Sequence, residues 1–139
     1  MARAEDQPGL RLRLTHEARR IATQHAYLDA LAATTRRAVE RGDEGEAREA
    51  LRGFRGALES HFALEEQLHF PALHGLHPAL GDELAALVRE HGEFRAALER
   101  LEQEPVGASG IPGLEALFAS LRRHEDREER LLGTAEAKP

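Results

Sequence analysis

Apolar side chains recur at alternating steps of four and three residues along most of this chain, and that spacing limits the possible folds more than any other feature. The first stretch carries Ile21, Leu28, Ala32 and Val39 on this pattern, and three later stretches repeat it. Because an α-helix has about 3.6 residues per turn, such positions form one apolar stripe along each helix. Alternation with a period of two, which is typical of strands, is confined to residues 10–14. The sequence therefore predicts an all-α protein with four amphipathic helices.

Glycine, proline and helix-capping residues divide the chain between these helices. Gly42 is a stop signal, and Asp43 with Glu46 is a variant of the capping box at the start of the second helix. We expect Pro71 to end that helix, and Pro112 suits the first turn of the fourth. These signals predict helices over residues 15–41, 43–70, 82–103 and 112–132, the first capped by Thr15, with loops over 71–78 and 104–111.

Four long helices with short connections favour an antiparallel, up-down-up-down four-helix bundle. The chain has 139 residues, which suits one domain. We expect the bundle to occupy residues 15–133, after an N-terminal arm over residues 1–14 and before a frayed tail over residues 134–139.

The charge and composition of the chain exclude several classes of function. A formal net charge of −6 argues against nucleic acid or an anionic membrane as the main partner. No apolar run is long enough for a signal peptide or a membrane span, so we expect a cytoplasmic protein. The chain has no cysteine, which excludes disulfides, thiolate zinc sites, iron–sulfur clusters and a thiol nucleophile.

Polar residues interrupt the apolar stripes in a regular way. The chain has eight histidines, and the stripe of each predicted helix contains one of them. On the second and fourth helices a glutamate follows the histidine by four residues, so both side chains share one face. A buried carboxylate without a partner is unfavourable, so these positions need an explanation. The six residues are His25, His61, Glu65, His91, His124 and Glu128.

The six residues are predicted to lie at one level of the bundle. With antiparallel neighbours, each histidine falls roughly 12–15 Å from the same end of the bundle. Four imidazoles and two carboxylates are too many ligands for one tetrahedral zinc ion, and they suit two ions bridged by the carboxylates. Ligation by nitrogen and oxygen without sulfur favours iron or manganese over copper(I) or structural zinc, and zinc as the native ion stays open.

The remaining histidines are His16, His69, His74 and His77. Three of them are expected at the surface, and His69, beside the second stripe, is the main alternative ligand. It follows Glu66 in an E-x-x-H pattern of the kind that ferritin-like di-iron proteins use. Such a site needs two of these pairs, and Val88 and Leu121 stand where the second glutamate would have to be. We therefore expect His69 not to bind the metal.

Other residues close to the six are expected to play lesser parts. Phe62, Phe94 and Phe118 are predicted to pack around the site as an apolar shell. Four glutamates are direct chain neighbours of the six residues. Because side chains one residue apart point in different directions, we expect these glutamates to lie outside the site. They are Glu66, Glu90, Glu125 and Glu129.

In the order and spacing of these residues the chain resembles the hemerythrin-like, or HHE cation-binding, domain family, from about Thr15 to Leu132. The family pattern is a histidine on the first helix, H-x-x-x-E on the second, a histidine on the third, and H-x-x-x-E or H-x-x-x-x-D on the fourth. The segments HFALEE at 61–66 and REHGEFR at 89–95 are also similar to the family.

The resemblance implies a four-helix bundle that holds a non-haem di-iron centre with a bridging oxo or hydroxo ligand. It implies that His25 and His61 bind one iron and that His91 and His124 bind the other. Glu65 and Glu128 would then bridge the two irons.

One position departs from the oxygen-carrying members of the family. Those proteins have a second histidine four residues after the ligand on the third helix, and here that position is Arg95. Arg95 either covers a nearby carboxylate or lies solvated on the helix flank. Four histidines instead of five leave open coordination positions, where O2, peroxide or nitric oxide would bind. In this respect the chain looks more like the bacterial iron-centre repair proteins and the eukaryotic iron-sensing members.

The resemblance therefore implies a di-iron protein that binds O2 or a related small oxidant. Two alternatives stay open. One is a di-iron enzyme that turns over peroxide, O2 or nitric oxide at the same centre. The other is an iron- or oxygen-sensing module that a protein partner reads. The sequence assigns no catalytic residue and does not identify such a partner.

Overall fold

The computed structural model describes residues 8–103 and 111–137, and almost all of them are helical. The α-helices are α1 (Pro8–Arg41), α2 (Glu44–Leu64), α3 (Phe70–Leu76), α4 (Gly81–Gln103) and α5 (Ile111–Ala137). A π-helical turn (Glu65–His69) joins α2 to α3 without a break, and a 3-10 turn (Pro78–Leu80) precedes α4. No strand occurs in the described ranges, and the all-α prediction is confirmed.

The long helices pack as a four-helix bundle. We call the unbroken helix from Glu44 to Leu76 the α2–α3 helix. Around the bundle the order is α1, the α2–α3 helix, α4 and α5, with α5 packing back against α1. A tight turn reverses the chain between α1 and α2. There Gly42 has a positive φ of 77°, and the Asp43 side chain accepts the backbone N–H of Glu46 at 3.0 Å. The predicted capping residues therefore set this turn.

The outer ends of the bundle differ from the prediction. α1 begins at Pro8 and not at Thr15, so residues 8–14 of the predicted arm are helical. Proline suits the first turn of a helix, because its missing N–H has no partner there in any case. α5 continues past the predicted end to Ala137, because Gly133 keeps a negative φ and good helix formers follow it. The rest of the predicted arm, loop and tail, residues 1–7, 104–110 and 138–139, lies outside the described residues.

The predicted loop over residues 71–78 is wrong for most of its length. Pro71 lies in the first turn of α3, and the helix continues to Leu76. The backbone N–H of Phe70 donates to the carbonyl of Glu65, five residues back, because the preceding turn is a π-helix. Pro71 follows directly, where the hydrogen-bond pattern returns to the α type. Its missing N–H therefore falls at a point where the ladder is already interrupted.

Two apolar clusters fill the bundle, one on each side of the six predicted site residues. The first core cluster includes Leu28, Phe54, Leu98 and Leu121 from the four long helices. The second core cluster lies toward the opposite end of the same helices. Its buried members are Ile21, Phe70, Leu73, Leu76, Leu84, Leu87 and Leu132. Along each long helix the site residues fall between the members of these two clusters, except that Phe62 of the first core cluster lies between His61 and Glu65.

Within the described ranges, no helix combines sufficient length with sufficient apolar character to cross a bilayer.

Candidate metal centre

The structure brings the six predicted residues together at one level inside the bundle. Each of them is at most 5% exposed. Their inward-facing nitrogen and oxygen atoms form two groups, in each of which the atoms lie within 4.8 Å of one another. The α1–α2 group is His25, His61, Glu65 and Glu128, and the α4–α5 group is Glu65, His91, His124 and Glu128. Both glutamates belong to both groups, which is the arrangement expected of residues that bridge two ions.

Distances between the imidazole and carboxylate atoms show how closely the six side chains converge. Glu65 Oε1 lies 3.4 Å from His61 Nε2 and 3.2 Å from His91 Nε2. Glu128 Oε2 lies 3.2 Å from His25 Nε2, and its other oxygen contacts His124 Nε2. Each carboxylate therefore lies between a histidine of the α1–α2 group and a histidine of the α4–α5 group.

Many of the atoms that face the centre lack a hydrogen-bond partner among the described residues. They include Nε2 of His61 and of His91 and both carboxylate oxygens of Glu65. A buried polar atom without a partner costs about 1–3 kcal/mol, so four of them in one place need an explanation. A cation accepts the lone pairs of neutral imidazole and of carboxylate, and it would satisfy all of these atoms together. The donor set therefore fits a metal centre.

Burial and mutual contacts shift the pKa values of these groups in opposite directions. Burial lowers the pKa of His61 to about 4. Burial acts in the same direction on His25, but its hydrogen bond with Glu128 and the charge of that carboxylate outweigh it and raise the pKa to about 9. Burial and the nearby Glu128 raise the pKa of Glu65 well above its usual range. Burial alone would raise the pKa of Glu128 too, but contacts with Glu65 and two histidines lower it. Without an ion, the protons are thus unevenly distributed over the site.

A second set of polar side chains contacts the outward-facing Nδ1 atoms of the four histidines. We call Gln24, Glu66, Glu90 and Glu129 the outer ring. The distances are 2.5 Å from His61 Nδ1 to Gln24, 2.8 Å from His91 Nδ1 to Glu66, 2.8 Å from His124 Nδ1 to Glu90, and 3.0 Å from His25 Nδ1 to Glu129. Because these oxygens accept, each Nδ1 carries a proton, and in the neutral imidazole the Nε2 lone pair is left to face the centre. At His25, Nε2 also lies 3.2 Å from Glu128 Oε2 and donates to it while the ring is protonated.

The outer ring closes around the bundle in one direction. Gln24 of α1 accepts from the histidine of α2, and Glu66, which follows α2, accepts from the histidine of α4. Glu90 of α4 accepts from the histidine of α5, and Glu129 of α5 accepts from the histidine of α1. Glu125 of α5 lies 3.6 Å from the same His25 Nδ1.

None of the four neighbouring glutamates joins either group of inward-facing atoms, as predicted, but Glu66, Glu90 and Glu129 contact the histidines from outside as members of the outer ring. A step of one residue turns a side chain by about 100° around the helix axis, and in a bundle this turn aims it at the adjacent helix. Gln24 and Glu90 precede a site residue on α1 and α4. Glu66 and Glu129 follow one on the helices that run the other way. Because neighbouring helices run in opposite directions, these offsets turn all four side chains in the same sense around the bundle. The alternation between one residue before and one residue after the site residue is visible in the sequence.

Two arginines extend the contacts of the α4–α5 group. Arg95 donates from Nε to Glu59 at 2.9 Å and from a terminal nitrogen to Glu66 at 3.2 Å. Arg127 donates to Glu90. The interpretation of Arg95 as a residue that covers a nearby carboxylate is confirmed. Its side chain points at these carboxylates and does not join either group of inward-facing atoms.

Aromatic rings enclose the α4–α5 side of the site. The Phe62 ring stacks on the His91 ring with a centroid distance of 3.8 Å, and Phe94 meets His124 edge-on at 5.2 Å. The Arg95 guanidinium lies over the Phe62 ring, 5.4 Å from the ring centroid. Phe118 is partly buried and packs against the first core cluster, with its ring centroid 5.3 Å from that of Phe54. Phe62 and Phe94 therefore form the apolar shell at the site.

His69 is buried in the π-helical turn but is not a member of either group of inward-facing atoms. It is 1% exposed, so its environment is more enclosed than its place beside the stripe indicated. His16 and His74 are exposed and His77 is half-buried, which agrees with their predicted surface positions. The π-helical turn starts at Glu65 itself, and such turns are frequent at functional sites.

Comparison with protein families gives an independent result. Residues 16–135 match the family model described as hemerythrin HHE cation binding domain. The match starts within α1 and ends within α5, so it includes all six inward-facing residues and the outer ring. It confirms the family resemblance found in the sequence. No curated protein and no solved structure shows a significant match to the chain.

Proposed function

This chain belongs to the hemerythrin HHE cation-binding domain family, and we propose that its six buried histidine and glutamate residues hold two iron ions. The observation that carries the proposal is the set of buried, inward-facing atoms without hydrogen-bond partners in the described part of the chain. Each ion would receive two imidazole nitrogens and oxygens from both bridging carboxylates. Imidazole and carboxylate ligands with open positions are typical of non-haem iron sites, and sulfur ligands are absent because the chain has no cysteine.

We propose further that the iron-loaded centre binds O2 or a related small oxidant. Iron with open coordination positions supplies a redox-active place for such a ligand. The chain contributes neutral Nε2 atoms held by the outer ring and an apolar shell that limits the access of water. Phe62 and Phe94 form that shell against His91 and His124.

Metal analysis of freshly purified protein tests this proposal. Protein from iron-replete cells should contain close to two irons per chain and show a near-ultraviolet charge-transfer band. His91→Ala should lower the iron content, whereas His74→Ala, which changes an exposed histidine, should not. Folded, colourless, metal-free protein would contradict the proposal of a metal centre. Stoichiometric zinc or manganese in place of iron would contradict the identity of the metal.

A second candidate function is turnover of peroxide, O2 or nitric oxide at the same centre. The observation that favours it is the orientation of Arg95, which donates to Glu59 and Glu66 and leaves the centre with four histidines. Stopped-flow mixing of the reduced, iron-loaded protein with each of these molecules distinguishes the two functions. A stable O2 adduct that is reversed by deoxygenation supports binding, and repeated consumption of the oxidant supports an enzyme.

A further inference from the structure

The outer ring is not the same on its two sides. Both histidines of the α4–α5 group donate to carboxylates, and an arginine holds each of these carboxylates in place. Glu66 accepts from His91 and from Arg95, and Glu90 accepts from His124 and from Arg127. The result is two continuous chains of histidine, glutamate and arginine that run from the centre to the surface.

The α1–α2 group has weaker support. His61 donates to Gln24, which is a neutral amide and carries no charge to stabilise a metal-bound imidazole. His25 donates to Glu129, whose side chain is 48% exposed, so solvent weakens its electrostatic effect. The buried Glu125 lies 3.6 Å from the same Nδ1, beyond hydrogen-bond distance. The hydrogen-bond partners of this half of the site are therefore one neutral amide and one partly solvated carboxylate.

A surface groove also reaches the α1–α2 group. The groove has a volume of about 590 Å³ and lies between α1 and α2. Gln24 and His61 are among its lining residues, and Gly53 and Gly56 leave space along α2. On the opposite side Phe62 and Phe94 cover the histidines of the α4–α5 group. The metal position at the α1–α2 group is thus the one closer to solvent.

We propose that the outer ring makes the two metal positions unequal, so that an ion at the α4–α5 group binds first and more tightly, and an ion at the α1–α2 group binds second and leaves first. This inference rests on the proposed function, because it presupposes that both positions hold a metal ion. Glu66, Glu90 and Gln24 are positioning residues in this scheme. They act through the histidines and do not contact the ion.

The physical reason is the effect of an outer carboxylate on a ligating imidazole. A carboxylate that accepts the Nδ1 proton fixes the orientation of the ring and makes Nε2 a stronger donor. Loss of such a partner typically lowers metal affinity about 10- to 100-fold. Because the α4–α5 group has two anchored carboxylates and His61 has only an amide, we expect the two affinities to differ by at least about tenfold.

Anaerobic titration of the chelator-treated, full-length protein with Fe²⁺, followed by calorimetry, tests the order of binding. The expected result is two binding phases, with the tighter phase filled first. His124→Ala should remove the tight phase, and His61→Ala should remove the weak phase and leave the tight one. Circular dichroism of each metal-free variant checks that it is folded.

Substitutions that change the charge of the outer ring test whether this ring causes the difference in affinity. They leave all six inward-facing residues in place. Glu66→Gln and Glu90→Gln keep an acceptor oxygen but remove the charge, and each should weaken the tight phase by about tenfold. Gln24→Glu should strengthen the weak phase by a similar factor, a gain that a merely structural role would not produce. Glu93→Gln, at an exposed position on α4, is the matched control and should change neither phase.

The outcomes separate this inference from the function on which it rests. Protein that binds no iron overturns both. Three results overturn the inference that the positions are unequal and leave the di-iron site intact. They are two irons that bind in a single phase, loss of the tight phase in His61→Ala, and a weak phase that Gln24→Glu leaves unchanged.

Discussion

At the scale of single residues, the metal-free site is a set of ionisable groups that burial has shifted in opposite directions. The pKa of His25 is raised to about 9, so this residue stabilises the fold below its unfolded pKa of 6.5. That contribution is lost as the pH rises from 6.5 toward 9. The pKa of His61 is lowered to about 4, so its contribution is present above 6.5 and is lost as the pH falls toward 4.

We therefore expect the unfolding free energy of the metal-free protein to be highest near neutral or slightly acidic pH and to fall on both sides. The decrease attributable to each histidine is on the order of 2 kcal/mol at its extreme. Urea unfolding of chelator-treated protein at a series of pH values measures the profile. His25→Gln should flatten the alkaline side, and His61→Gln should flatten the acidic side. An unchanged alkaline side in His25→Gln would contradict this assignment.

A second prediction at the residue scale concerns Glu65. Burial and Glu128 raise its pKa, so Glu65 stabilises the metal-free fold below its unfolded pKa, and this contribution is lost as the pH rises through the folded value. Glu65→Gln removes this ionisation, and at mildly alkaline pH the metal-free variant should be more stable than the wild type by about 1 kcal/mol. The same variant should lose the stabilisation by iron, because Glu65 belongs to both groups.

Thermal unfolding of both proteins, with and without iron, measures these opposite effects. Glu99→Gln, at an exposed position on α4, is the control and should change the unfolding free energy by less than about 0.5 kcal/mol in either state. A Glu65→Gln protein that is less stable than the wild type without metal and is still stabilised by iron would contradict the bridging role.

The sequence was sufficient to predict the six inward-facing residues, because each lies on the apolar stripe of its helix where a polar side chain is unfavourable. It was insufficient for the outer ring, because those side chains lie off the stripe, where polar residues are ordinary. Glu66 and Glu90 resemble any solvated glutamate until the neighbouring helix is placed beside them. Their offset of one residue from the stripe is visible in the sequence, but the histidine that each of them meets depends on the rotation of one helix relative to the next, which one sequence does not contain.

At the scale of elements, the π-helical turn is the feature that the apolar period did not predict. A π-helical turn holds one residue more than an α-helical turn, so it changes the face that the following residues present. Glu65 lies at its start, and Phe70 of the second core cluster follows its end. The turn thus allows Glu65 and Phe70 both to be buried, although a regular α-helix would separate their faces. Pro71 led to the prediction that the helix ends there, because proline more often marks the end of a helix than a change of its hydrogen-bond pattern.

Deletion of Gln67 tests the role of this turn. Removal of one residue allows the segment to become a regular α-helix, which rotates α3 by about 100° relative to α2. Phe70, Leu73 and Leu76 would then leave the second core cluster, and each buried side chain of this kind contributes about 1.5–3 kcal/mol. We expect the deletion to lower the unfolding free energy by more than about 3 kcal/mol, as measured by urea unfolding.

The control for that deletion is Gln67→Ala, because Gln67 is exposed and alanine favours the helix. The substitution should leave the unfolding free energy within about 0.5 kcal/mol of the wild type. A deletion variant as stable as the wild type would show that the π-helical turn is not needed to position α3.

At the scale of the whole molecule, the two glutamates shared by both groups of inward-facing atoms belong to helices that lie across the bundle from each other. Glu65 follows α2 and Glu128 lies in α5, whereas the direct neighbours of α5 in the bundle are α1 and α4. Ions held by both glutamates and the four histidines would therefore join all four long helices at one level. Among the described residues, this level separates a first core cluster of thirteen buried members from a second core cluster of seven.

Removal of iron should therefore loosen the two ends of the bundle to different extents. The smaller second core cluster has less apolar burial to maintain it, so local opening should start there. In hydrogen exchange followed by mass spectrometry, peptides over residues 70–87 and 128–133 should lose protection when iron is removed with a reductant and a chelator. Peptides over residues 47–58 and 114–121 belong to the first core cluster and should change little. Global stability should fall as well, by about 4 kcal/mol if free iron exceeds its dissociation constant a thousandfold.

Leu51→Ala controls for a general loss of stability, because it weakens the first core cluster far from the metal level and should cost about 2–5 kcal/mol. In that variant, with iron bound, peptides over residues 47–58 should lose protection before those over residues 70–87, the reverse of the order expected for iron removal. Equal loss of protection at both ends on iron removal would mean that the bundle opens as one cooperative unit. In that case the ions would support the whole fold and not the end closed by the second core cluster.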